Sequence, residues 1–76
     1  MNEQDIALLI SVNSVLDADM IEAMLKNNDI PVFKKYRELG LHMKTLFGST
    51  TTGIDIDIYV PLPALEKAKE LIEVLL

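Results

Sequence analysis

The 76 residues predict a two-layer α+β sandwich with the element order β-α-β-β-α. Three observations carry that expectation. In residues 54–60, Ile54, Ile56, Ile58 and Val60 alternate with Asp55, Asp57 and Tyr59, the period-2 pattern of a strand with one apolar face. Val15 to Asn27 and Ala64 to Leu75 repeat apolar residues at helical spacing. Pro31 stands in the remaining β-rich stretch, and a residue without a backbone N–H belongs on an edge strand.

Taken in order, Ile6 to Val12 reads as the first strand, with Ile6, Leu8, Ile10 and Val12 on one face and Ala7, Leu9 and Ser11 on the other. Asn13-Ser14 then offers a helix cap, and a cap at Ser14 places Asp17 at N3, where its charge suits the helix dipole. The helix Val15–Asn27 carries a stripe of Ile21, Met24, Leu25 and Asn28, with Ala18 and Met20 at its edges. Asp19, Glu22 and Lys26 are expected to face water, Glu22 and Lys26 as an i,i+4 pair. Asn27-Asn28-Asp29 ends it, Asn being the residue expected to take the left-handed conformation.

Ile30 to Tyr36 reads as the second strand, its Lys34 and Lys35 blunting an exposed edge. Residues 37–53 read as a long loop, apolar at Leu39, Leu41, Met43, Leu46 and Phe47, then hydroxyl-rich from Gly48 to Gly53. After the Ile54–Val60 strand, Pro63 suits a helix first turn. The last helix is expected to bury Leu65, Ala68, Leu71, Ile72 and Leu75 and to pair Lys69 with Glu73 on its solvent side.

A right-handed crossover makes the first two strands parallel. The last strand, a nearly unbroken β-branched row, then fits between them, antiparallel to both, giving the order 1-3-2 with two helices on one face. This is a ferredoxin-like arrangement of three strands. It leaves the outer edge of the first strand open and one sheet face uncovered, with Leu9, Phe33, Lys35, Asp55, Asp57 and Tyr59 on that face. An apolar patch beside an open edge predicts a homodimer, by edge pairing or face stacking.

Composition limits the function classes. One domain, residues 1–76, is expected at this length, and a chain so short is marginally stable alone. Half the residues are hydrophobic, with two Phe, two Tyr and no Trp, so the core is aliphatic. No cysteine is present, which excludes disulfides and thiolate metal sites. Seven basic against twelve acidic residues give a net charge of −5, and Lys34, Lys35 and Arg37 are too few for a nucleic-acid surface. No apolar run is long enough to span a membrane, and the start Met1-Asn2-Glu3-Gln4-Asp5 is unlike a secretory leader. A cytoplasmic setting is expected.

The run from Ile10 through the helix to Ile30-Pro31-Val32, the glycine-bounded loop, Gly53-Ile54-Asp55-Ile56-Asp57-Ile58-Tyr59-Val60-Pro61 and a helix centred on Ala68 together resemble a small bacterial family, the putative prokaryotic signal-transducing proteins. The likeness covers nearly the whole chain. That family has a glycine just before the Ile-Pro pair, where this chain has Asn28-Asp29. The resemblance implies a ferredoxin-like, PII-like fold and a regulatory role, and it carries over no catalytic residue.

Candidate chemistry is sparse. Asp55 and Asp57 lie two apart on one strand face, roughly 6–7 Å apart at the β-carbons, and could serve a hard cation or simply face water or pair with Lys35. His42 has no nucleophile motif beside it. Gly48-Ser49-Thr50-Thr51-Thr52-Gly53 could hold an anion, but it precedes a strand and lacks the lysine of a phosphate loop. The resemblance adds that the long loop between these strands is the partner-contacting element in PII-like proteins. The expectation is therefore a non-enzymatic interaction module without a cofactor, working through Leu41, Met43, Phe47, Gly48, Ser49, Thr50 and Gly53 and the adjoining sheet face. The alternative is a nucleotide or anion sensor at 48–53.

Overall fold

The computed structural model describes residues 5–38 and 54–75. Strand β1 (Ile6–Val12) leads to helix α1 (Val15–Asn27), then to β2 (Phe33–Glu38) and β3 (Ile54–Pro61). A 3-10 turn (Leu62–Ala64) enters helix α2 (Leu65–Leu75). The sheet order is β1-β3-β2, and β3 pairs antiparallel with both neighbours. The fold class is therefore α+β, with a three-stranded sheet of order 1-3-2 and two helices.

The ends of α1 follow from local chemistry. Ser14 is extended, and its Oγ accepts the Asp17 N–H at 3.3 Å, satisfying one orphan donor of the first turn. At the other end the Asp29 N–H donates to the Lys26 carbonyl and the Ile30 N–H to the Leu25 carbonyl, each at 3.0 Å. This is the Schellman closure, with its apolar contact between the buried Leu25 and Ile30. The left-handed residue is Asp29, at φ 61°, and not Asn27 or Asn28 as expected. Asn28 instead turns its Nδ2 back to the Met24 carbonyl at 2.8 Å.

The core lies between helices and sheet. Ala18, Ile21 and Leu25 of α1 and Ala68 and Ile72 of α2 close over Ile56, Ile58 and Val60 of β3. Leu65 and Leu71 pack at the margin of this cluster, while Leu75 is more exposed than its place on the α2 stripe implied. Each large aliphatic side chain so buried contributes about 1.5–3 kcal/mol, against a total stability of only about 4–11 kcal/mol for a chain this size.

Three element boundaries or pairings depart from the sequence reading. The second strand begins at Phe33, after Pro31 and Val32, and continues through Arg37 and Glu38, which the pattern had assigned to the loop. Pro31 thus precedes the edge strand rather than lying in it. Glu22 is half-buried and does more than pair with Lys26 at 3.0 Å as expected: it also pairs with Lys34 of β2 at 2.8 Å, and Asp19 adds a contact to Lys34 at 3.7 Å. Lys34, then Lys26, hold the Glu22 carboxyl below its ordinary pKa, and the Glu22 contact raises that of Lys34. On α2, Lys69 meets Glu66 at 3.9 Å instead of the expected Glu73.

The largest correction is in β1. Leu8 lies opposite Tyr59, but Ile10 lies opposite Ile58, so the register shifts by one residue at Leu9. Such a shift reverses which residues point to which face. Ala7, Ile10 and Val12 share the helix side with Val60, Ile58 and Ile56, and Leu9 packs against the core. Ile6 and Leu8 join Pro61 and Tyr59 on the other face.

Candidate functional site

The face of the sheet turned away from the helices is built from three registered rows. Leu8, Tyr59 and Phe33 form one row, Ser11, Asp57 and Lys35 the next, and Asp55 with Arg37 the third. The rows divide the face into two ends. At the start of β1 and β2 it is apolar and aromatic, with Leu8 51% and Phe33 43% exposed and Ile6 and Tyr59 half-buried beside them. At the other end it is ionic.

Asp57 organises the ionic end and is only 6% exposed. Arg37 donates to it twice, Nε to Oδ2 at 2.8 Å and Nη2 to Oδ1 at 2.9 Å, and Ser11 Oγ donates to Oδ1 at 2.6 Å. One carboxylate on the central strand thereby ties both edge strands across the face. The Arg37 guanidinium first, and the Ser11 hydroxyl second, hold the Asp57 carboxyl below the ordinary carboxylate range, because each bond favours its ionised form. Asp57 in turn raises the Arg37 pKa. Asp55 is a more distant partner, 3.8 Å from Arg37 Nη2 and half-exposed.

This geometry gives the Asp57 carboxylate a partner other than the expected Lys35. Lys35 lies directly opposite Asp57, yet the paired cation is Arg37, whose planar fork can meet both carboxylate oxygens at once. Both Asp57 oxygens accept these bonds, so the Asp57 carboxylate is engaged in structure, with Asp55 a half-exposed neighbour. Among the described residues, no group of three His, Cys, Asp or Glu could hold a metal ion. Beside the apolar end, Ile6, Phe33, Lys34, Lys35 and Tyr59 bound an open hollow of about 520 Å³.

The loop residues expected to bind a partner or ligand, Leu41, Met43, Phe47, Gly48, Ser49, Thr50 and Gly53, lie outside the described residues, as does His42. Of the expected sheet face, the structure brings together Phe33, Lys35, Asp55, Asp57 and Tyr59, and replaces Leu9 by Ile6 and Leu8. Arg37 and Ser11 were missed. Arg37 could have been found by continuing the Phe33, Lys35 alternation one step, opposite Asp55. The sequence Ile-Ala-Leu-Leu-Ile carries no mark of the shift that exposes Leu8.

No helix among the described residues is long and apolar enough to cross a membrane. No curated protein and no solved structure matches the chain. Residues 6–75, every element from β1 to α2, match a family described as putative prokaryotic signal transducing protein, and the chain belongs to that family.

Proposed function

We propose that the chain is a non-enzymatic signal-transducing module of the cytoplasm. In this reading it acts by reversible contact with another protein through the apolar end of its open sheet face. The observation behind this is the exposure of Leu8 and Phe33 on either side of Tyr59, on a face that no described element covers. The ferredoxin-like and PII-like character of the fold is part of the same reading and rests on the strand order and the family.

Size and charge choose the kind of partner. A face of three strands about 4.8 Å apart, with residues rising about 3.3 Å each, has a footprint of only several hundred Å². Two such faces stacked together bury less than the roughly 1,200 Å² of a stable specific interface. A second copy also brings another charge of −5 against the first. The surface therefore suits a transient partner that offers an apolar spot, and it makes homodimerisation through this face weak.

A photo-reactive phenylalanine analogue at position 33, compared with one at the exposed Val74 on α2, tests the reading in cells of the native host. The expected result is a cross-link to a distinct protein from position 33 alone, lost on Leu8→Ser. Equal cross-linking from both positions, or cross-links only between copies of the chain, overturns it.

A ligand sensor at a different place from the expected 48–53 has one observation in its favour, the 520 Å³ hollow with two aromatic rings and two lysines, which lies within the size range of small-molecule sites. A thermal-shift screen with nucleotides and inorganic phosphate tests it. A ligand that raises Tm in the parent chain but not in Lys35→Ala supports the sensor, and a flat screen removes it.

A further inference from the structure

We propose that the open face recognises an apolar anchor accompanied by a carboxylate. The partner segment sets an aliphatic or aromatic side chain on Leu8, Tyr59 and Phe33 and pairs a neighbouring Asp or Glu with Lys35. This rests on the contact proposed above and names the chemistry of its partner.

The first observation is a charge without a bonded counter-ion. Lys35 is exposed and lies directly opposite Asp57, yet Arg37 and Ser11 occupy both Asp57 oxygens. Arg37 first and Ser11 second hold the Asp57 carboxyl low, and Lys35 is the weakest of the influences, acting through space without a bond. Among the described residues Lys35 makes no hydrogen bond and no ion pair. Its neighbour Lys34 is instead held by Glu22 of α1 at 2.8 Å. On a chain of net charge −5, the cation left unbonded thus stands on the open face.

The second observation is where that cation stands. The apolar row Leu8, Tyr59 and Phe33 is followed along β2 by Lys35, two residues on from Phe33 and on the same face. The separation of the two rows is therefore about 7 Å. Lys35 also borders the hollow formed with Ile6, Phe33 and Tyr59, so a side chain entering the hollow brings its neighbours within reach of the ammonium group. About 7 Å is the rise from residue i to i+2 in an extended segment, and the rise from i to i+4 in a helix is about 6 Å. The partner's carboxylate accordingly belongs two residues from its anchor if the segment is extended, and one turn away if it is helical.

An ion pair at the margin of an apolar contact selects among partners more than it tightens binding, because a basic residue in the same place is repelled. Its expected worth is up to about fivefold in affinity. A lysine placed only to blunt the edge strand makes no such demand on a partner.

A random-sequence peptide library displayed against the immobilised full chain tests this. Peptides selected on the parent chain are expected to carry Asp or Glu at a fixed short spacing from an apolar residue, and Lys35→Glu is expected to select Lys or Arg at that spacing instead. In the best acidic peptide, replacing the carboxylate by its amide is expected to weaken binding about three- to fivefold in the parent chain and not in Lys35→Ala. Circular dichroism confirms that the variants fold, and Lys35→Ala carries the test without a reversed charge. Peptides that need Leu8 and Phe33 but show no acidic preference, or an amide that costs as much in Lys35→Ala, overturn the inference and leave the apolar contact standing. Failure to select any peptide whose binding is lost on Leu8→Ser/Phe33→Ser overturns both.

Discussion

The two faces of β3 run along the same eight residues and are put to different uses. On one face Ile56, Ile58 and Val60 are sealed under both helices, each 1% exposed or less. On the other, Tyr59 stands among exposed apolar neighbours, and Asp57 is buried by a bidentate arginine and a serine rather than by packing. The helix side holds its shape by area removed from water, which is insensitive to direction. The open side holds its register by directed bonds and leaves its apolar surface unspent. A module that must fold alone and still offer a contact surface needs both.

Substitutions that separate the faces test this difference. The largest effect belongs to the sealed side: Ile58→Ala is expected to cost about 2–5 kcal/mol, enough to leave much of so small a domain unfolded. Urea unfolding followed by circular dichroism measures it, and a cost below about 1 kcal/mol would place the core elsewhere.

The next effect is in the pH dependence. A carboxylate held below its ordinary pKa in the folded chain adds stability above the unfolded value, near pH 4. It loses that stability as pH falls through the depressed folded value. The stability of the parent chain is therefore expected to drop steeply below about pH 4. Asp57→Asn should flatten part of that drop, leaving the share due to Glu22, which is also held low. An unchanged acid limb would mean that the Arg37–Asp57 pair is not maintained in solution.

A smaller effect, of opposite sign, is expected at the helix end. Asp29 takes a left-handed conformation that glycine adopts without steric cost. Asp29→Gly should stabilise the chain by up to about 1 kcal/mol, raising Tm by a few degrees. A lower Tm would show that the Asp29 side chain contributes more than its backbone costs.

Much of this architecture was legible in the sequence because it depends on pattern. Alternation in 54–60, the Ser14 cap and the helical stripes gave the strand order and the core face. What was not legible depended on interactions between segments. The register shift at Leu9 leaves no compositional trace, because Leu8, Leu9 and Ile10 are interchangeable by hydropathy, yet it moves Leu8 from the core to the open face. The choice of Arg37 over Lys35 depends on guanidinium geometry reaching diagonally across strands. For the candidate site, Phe33, Tyr59, Asp55 and Asp57 were visible in the alternation. Ile6 and Leu8 emerged only from strand pairing, as did the bonds that Ser11 and Arg37 make to Asp57.

The most direct measurement on the central claim is the double variant Leu8→Ser/Phe33→Ser, read for Tm and for cross-linking from a photo-reactive residue at position 59. If the open face is kept for contact, stability changes by no more than about 1–2 kcal/mol, since both side chains are already half-exposed. Partner cross-linking, present in the parent chain, disappears. Unfolding of the variant, or cross-linking that persists undiminished, would contradict the account.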